Sequence, residues 1–231
     1  MHSDTRRADR ANQWLTRWLH HGYGWACERL YHELAWSYDQ VSWVVSAGAW
    51  DGWRRLALDE CGAATATGRP ALELGFGTGA LLQAAQRTGQ PIVGLELSPA
   101  MHAVAAARLA PEPAAPPRVQ ATALALPFES GSFAAVLATF PARYILARAT
   151  LDECARVLCT GGRLVIVGWW VTPVLAGRPL HLPLLYGAPD PAQIAAITQR
   201  IAAAGFAVTQ HSRRAAGADV GVLVGEKQSI V

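Results

Sequence analysis

The stretch ALELGFGTGALL, Ala71 to Leu82, limits the fold more than any other. A short apolar run meets Gly75, Gly77 and Gly79 and passes at once into a helical pattern. Strand, glycine turn and helix in that order build a nucleotide-type cradle. Glycine lets the backbone come close to a ligand, and the start of the helix leaves N–H groups unsatisfied. Such a unit needs a sheet around it, and the flanking residues supply one.

Short apolar runs at Ala71–Leu74, Ile92–Leu95, Arg118–Ala121, Ala134–Ala138 and Arg163–Val167 read as strands. Helical patterns fall near Ala80–Arg87, Ala100–Leu109, Tyr144–Leu158 and Pro191–Ala204. Alternation of this kind predicts an α/β fold with a parallel sheet covered on both faces. The Pro-rich stretch Pro111–Pro117 reads as a loop within the same sheet. After residue 167 the pattern predicts a Pro-broken apolar loop, a helix and two strands.

Seven of the nine tryptophans precede residue 54, so residues 1–60 read as a separate Trp-rich helical segment, a cap or a brace, before a domain over 61–231. Trp14, Trp18 and Trp25 share one helical face, and Trp36, Trp43 and Trp50 another. Packing onto the main domain accounts for such stripes. A lid over an apolar substrate, and a peripheral membrane contact with Arg7, Arg10 and Arg17 beside Trp14 and Trp18, are the functional alternatives.

Composition narrows the class. Only 16% of residues are charged and the net charge is +3, too weak to argue for nucleic acid. The longest apolar stretch, Leu164–Gly177, carries Thr172 and Pro173 and falls short of the ~20 residues of a spanning helix. Cys27, Cys61, Cys154 and Cys159 form no CxxC pair and no zinc spacing, so no metal is expected and the thiols read as reduced, in a cytoplasmic chain. Arg6 and Arg7 are followed by no apolar core, which argues against a secretion signal.

The turn alone leaves its nucleoside open. Gly75, Gly77 and Ala80 satisfy the dinucleotide form G-x-G-x-x-A, and Glu96, 21 residues after Gly75, suits the ribose of either cofactor. The surroundings resemble the class I S-adenosylmethionine-dependent methyltransferases. Glu73 fits that family's E/D-x-G-x-G-x-G motif, and GLELSPAM (Gly94–Met101) looks like its second motif. ALPFESGSF (Ala125–Phe133) and ECARVLCTGGRLVIV (Glu153–Val167) are similar to its segments around strands four and five. AGFAVTQ and VGVLVGEK look like its closing strands six and seven. Upstream, YDQVSWVVSAGAWDGWRR (Tyr38–Arg55) and, later, TFPARYI (Thr139–Ile145) resemble the ubiquinone/menaquinone-biosynthesis branch. The chain departs from the family at Thr122, where relatives place an acid, at Ala134 and at Trp50.

The resemblance implies a Rossmann-like, seven-stranded methyltransferase sheet with S-adenosylmethionine as cofactor. It implies that backbone at Gly75, Phe76, Gly77 and Gly79 faces the methionine end, with Glu73 orienting its amino group. It places Glu96 on the ribose, and Leu97, Met101, Thr122, Ala123 and Leu124 around the adenine. Phe140, Arg143 and Tyr144, just beyond strand four, would border the acceptor, where ligands lie in open α/β sheets. No general base is identified; Tyr38, Tyr144, His181 and Tyr186 are the candidates. The expected acceptor is a small apolar or lipid-like molecule, with a quinone precursor and a phospholipid headgroup both open. A non-catalytic S-adenosylmethionine-binding partner and an NAD-dependent oxidoreductase are the alternatives.

Overall fold

The computed structural model describes residue 46 and residues 48–65, 68–112, 114–175, 178–179 and 190–228. The tryptophans before Trp50, and the candidates Tyr38, His181 and Tyr186, lie outside the described residues.

Helix α1 (Trp50–Thr65) leads into β1 (Ala71–Leu74), α2 (Ala80–Arg87), β2 (Ile92–Glu96), α3 (Pro99–Leu109), β3 (Arg118–Gln120) and β4 (Phe133–Thr139). A 3₁₀ turn (Arg143–Leu146) and α4 (Arg148–Val157) follow, then β5 (Leu158–Leu175), a two-residue β6 (Arg178–Pro179), α5 (Pro191–Ala202), β7 (Phe206–Ala215) and β8 (Ala218–Lys227). The sheet order is β3-β2-β1-β4-β5-β8-β7, with β6 pairing β5. Strands β1 to β5 run parallel, and β8 joins β5 antiparallel.

The central strands are apolar on both faces because both faces are covered. Every residue of β1 is buried, and β4 is buried from Phe133 to Ala138. One face packs α1, α2 and α3 through Trp53, Leu56, Leu81, Leu82 and Leu109. The other packs α4 and α5 through Leu151, Cys154, Val157, Ile197 and Ile201. Capping follows the local sequence. Ser98 before Pro99 accepts the Met101 N–H, and Asp190 before Pro191 accepts the Ala192 N–H. Ala216 and Gly217 both take positive φ, 44° and 78°, which suits the twist of the two-residue β7–β8 hairpin.

Three sequence expectations change. Helix α1 runs through residue 60, the boundary read from the sequence, and its buried face belongs to the sheet core. The helix expected over Tyr144–Leu158 is split by Ala147, which is extended at ψ 138°. Tyr144 and Ile145, on the turn before the split, both pack against the core. The apolar loop expected after residue 167 is instead strand as far as Leu175. Val171, Thr172 and Pro173 pair with Val220, Asp219 and Ala218 across a bulge. Pro173 fits there because β4 has already ended, so its missing donor costs no ladder bond.

Candidate functional site

The sheet reverses its winding between β1 and β4, and the crevice at their carboxyl ends is where such folds bind ligands. The glycine turn lies in that crevice. Gly75, Gly77 and Gly79 have φ of 71°, 53° and 76°, conformations that only glycine holds cheaply. Gly75 N–H donates to the Leu95 carbonyl at 2.7 Å. A Cβ on Gly75 would lie 2.7 Å from the Tyr144 hydroxyl oxygen. Gly79 caps α2 without a side-chain bond, so the start of α2 stays open to a ligand.

Glu96, 6% exposed at the end of β2, braces two turns at once. Its Oε2 accepts the Gly77 N–H at 3.1 Å and its Oε1 the Ser98 N–H at 2.9 Å. Glu73 lies on the neighbouring strand, paired with Gly94, and is 2% exposed. Its Oε2 has no hydrogen-bond donor. Burial pushes the Glu73 carboxyl up to about 8; the charge of Arg54 opposes that rise and Glu96 adds to it. Arg54 lies near the start of α1, where it pairs with Asp51. Two buried carboxylates thus stand under the turn.

On the β2–β3 side, Leu97 and Leu124 are the large hydrophobic residues left exposed among the described residues, at 62% and 49%. Each follows the carboxyl end of its strand, and Glu96 pairs with Gln120 in register. Thr122 Oγ1 accepts the Leu124 N–H at 3.2 Å, and Ala123 is buried. Two of the residues expected at the cofactor have buried side chains. Phe76 is 2% exposed and packs beside Gly94, so only its backbone faces the turn. Met101 is fully buried. Apolar periodicity marks such residues as buried but not which wall they serve.

On the β4 side, Phe140 takes a positive φ of 48° and stacks on Trp50, with ring centroids 4.1 Å apart. Trp53 lies 6.2 Å from the same ring. Gly168 allows this, since a Cβ there would lie 2.4 Å from Phe140. Arg143 is exposed on the 3₁₀ turn. Tyr144 turns away from that side: its hydroxyl donates to the Leu74 carbonyl at 3.2 Å, at the glycine turn. Burial, with Glu96 and Glu73 nearby, raises its hydroxyl far above the ordinary range. Tyr144 here acts as a hydrogen-bond donor to the glycine turn.

Residues that the sequence reading gave no role also reach the site. Glu153 and Arg156 of α4 hold the loop that carries Leu124, and Arg54 faces Glu73. Their spacing of three on α4 signals a pair, but not its target.

Residues 72–166 match a family model described as a methyltransferase domain. The chain is 36% identical over 141 residues to a demethylmenaquinone methyltransferase of Thermus thermophilus, covering 60% of this chain and 63% of that protein. It is 34% identical over 153 residues to a ubiquinone/menaquinone biosynthesis C-methyltransferase of Syntrophotalea carbinolica, covering 64% of each. The chain thus spans less than two thirds of the length of these relatives. Its fold is similar to a glycopeptide N-methyltransferase complexed with sinefungin, with a TM-score of 0.57 at 18% identity over 76% of this chain and 94% of that one. It is also similar to a Haemonchus contortus phosphoethanolamine N-methyltransferase in complex with phosphomonomethylethanolamine and S-adenosylhomocysteine, with a TM-score of 0.52 at 18% identity over 70% and 49%. Sheet order, glycine turn and matched segment agree: residues 72–166 are similar to a methyltransferase domain, within a Rossmann-like fold shared with solved methyltransferases.

Proposed function

We propose that the chain transfers a methyl group from S-adenosylmethionine to a small apolar or lipid-like acceptor. The buried acids under the glycine turn carry the choice of cofactor. A dinucleotide would bring its pyrophosphate to this turn, where the Gly77 N–H already serves Glu96. A cationic amino acid end suits the same place, because Glu73 Oε2 has acceptor capacity and no donor. Gly75, Gly77 and Gly79 give the close approach, Glu96 faces the ribose, and Leu97 and Leu124 offer apolar jaws to the nucleobase.

When bound, the cofactor supplies a methyl group already activated on a sulfonium. The protein's part is to position the acceptor and exclude water, an effect worth roughly 7–11 kcal/mol in well-oriented systems. The Trp50–Phe140–Trp53 rings beyond β4 suit a flat or apolar acceptor. The names of the curated relatives, demethylmenaquinone methyltransferases among them, support that class. An acceptor of this kind would bring the domain to a membrane surface, with the N-terminal tryptophans as the contact. Among the described residues no helix is long and apolar enough to cross a membrane.

Calorimetry tests the cofactor. S-adenosylmethionine and S-adenosylhomocysteine should bind, and Glu96→Ala should weaken both by about a hundredfold, from lost ribose bonds to a charged group. Absence of binding by the wild type would overturn the reading. Radiolabelled S-adenosylmethionine with a membrane extract then tests the acceptor, since label confined to polar metabolites would exclude a lipid. Co-sedimentation with anionic liposomes, lost when Trp14 and Trp18 become Ala, tests the membrane contact.

A further inference from the structure

We propose that Glu153 and Arg156 are positioning residues that set the affinity of the site for the nucleoside half of its cofactor. The inference rests on the cofactor reading above. The loop between β3 and β4, residues 121–132, has no regular structure, so its backbone groups need partners from elsewhere. Helix α4 supplies them. Glu153 Oε2 accepts the Leu126 N–H at 2.6 Å. The Arg156 guanidinium donates through Nη2 to the Leu126 carbonyl at 2.9 Å and through Nη1 to the Phe128 carbonyl at 2.7 Å. It also bonds Glu153 through Nε and Nη2, each at 2.7 Å. The Gly131 N–H donates to the Arg156 carbonyl at 3.0 Å, and Phe128 lies edge-on to Phe133 at 4.9 Å.

One fork-shaped cation and one carboxylate therefore hold three backbone groups of the loop. That geometry needs arginine, because a lysine cannot reach two carbonyls and a carboxylate in one plane. The held residue, Leu126, is buried two positions beyond the exposed Leu124. Leu124 and Leu97 are the apolar jaws that follow β3 and β2. An exposed leucine contributes contact only if its backbone stays in place. The clip also explains why two sequence segments go together: ALPFESGSF is the held loop and ECARVL is its holder.

The test is a double-mutant cycle on the full chain, read by calorimetry with S-adenosylhomocysteine and with adenosine. Arg156→Met should weaken both ligands by the same factor, about tenfold or more, because the loss falls on the half they share. Arg156→Lys should recover only part. Leu124→Ala should weaken both, and the Leu124→Ala/Arg156→Met pair should lose little beyond the larger single effect, since both act on one wall. Equal wild-type and Arg156→Met affinities in folded protein would overturn the clip, as would full additivity. If Arg156→Met does not fold, Arg156→Lys carries the same cycle. Failure of the wild type to bind either ligand would instead overturn the cofactor reading, and the clip's role with it.

Discussion

Glu73 is the residue where burial and chemistry conflict most. Its carboxyl is raised from 4.5 to about 8 by burial, so the folded protein holds it protonated near pH 7. A carboxyl raised by folding stabilises the fold at low pH, and that contribution fades as pH rises from about 4.5 through about 8. Glu73→Gln should therefore gain thermal stability over the wild type as pH increases, a trend that melting curves from pH 5 to 9 would reveal or refute. A cationic ligand reverses the preference, because it favours the ionised form. Its affinity should rise with pH and its binding should release a proton, which calorimetry in buffers of different ionisation enthalpy measures directly. Gly168 is the second constrained residue. Its φ of 83° and the Phe140 ring at 2.4 Å leave no room for a side chain. Gly168→Ala should cost about 1–3 kcal/mol in urea denaturation, with part of the loss relieved in a Gly168→Ala/Phe140→Ala double variant.

Helix α1 is the element whose placement matters most to the site. The Trp50 N–H donates to Ser46 Oγ at 3.1 Å, which starts the helix. Trp53 is 3% exposed, and its indole N–H donates to the Ala215 carbonyl at 3.0 Å, which ties α1 to the end of β7. Glu60 adds an ion pair to Arg213 and a hydrogen bond to His211 on the same strand. Through this docking α1 presents Trp50 to Phe140 and Arg54 to Glu73. Trp53→Ala should cost about 3–5 kcal/mol, as large-to-small changes in a core do. Trp53→Phe should cost much less, since it keeps the packing and loses one hydrogen bond. Chemical denaturation separates the two, and equal losses would show that packing is not what holds α1.

At the scale of the molecule, one sheet carries both cores, so the described residues from α1 to β8 should unfold together. A ligand at about 100 times its Kd stabilises the folded state by about 2.7 kcal/mol. S-adenosylhomocysteine should then raise the melting temperature by several degrees in a single transition. A shift confined to one of two transitions would show that the cofactor half and the β7–β8 half are separate units. Cys61 and Cys154 are buried, and burial raises their thiols to about 11 and about 12, so they should resist alkylation until that transition.

The sequence by itself determined the sheet and the turn. Alternating apolar runs and helical periods are local signals, and glycine at 75, 77 and 79 is a local demand of the backbone. The tertiary structure decided what depends on partners distant in the chain. Strand β5 runs to Leu175 because β8 is there to pair with Val171–Pro173. The Tyr144 hydroxyl meets the Leu74 carbonyl, 70 residues away in the chain. Phe76 and Met101 are buried, at 2% and 0% exposure. Glu153 and Arg156 act on a loop about 30 residues upstream. Periodicity records which side chains leave water; only the assembled fold fixes what each one then touches.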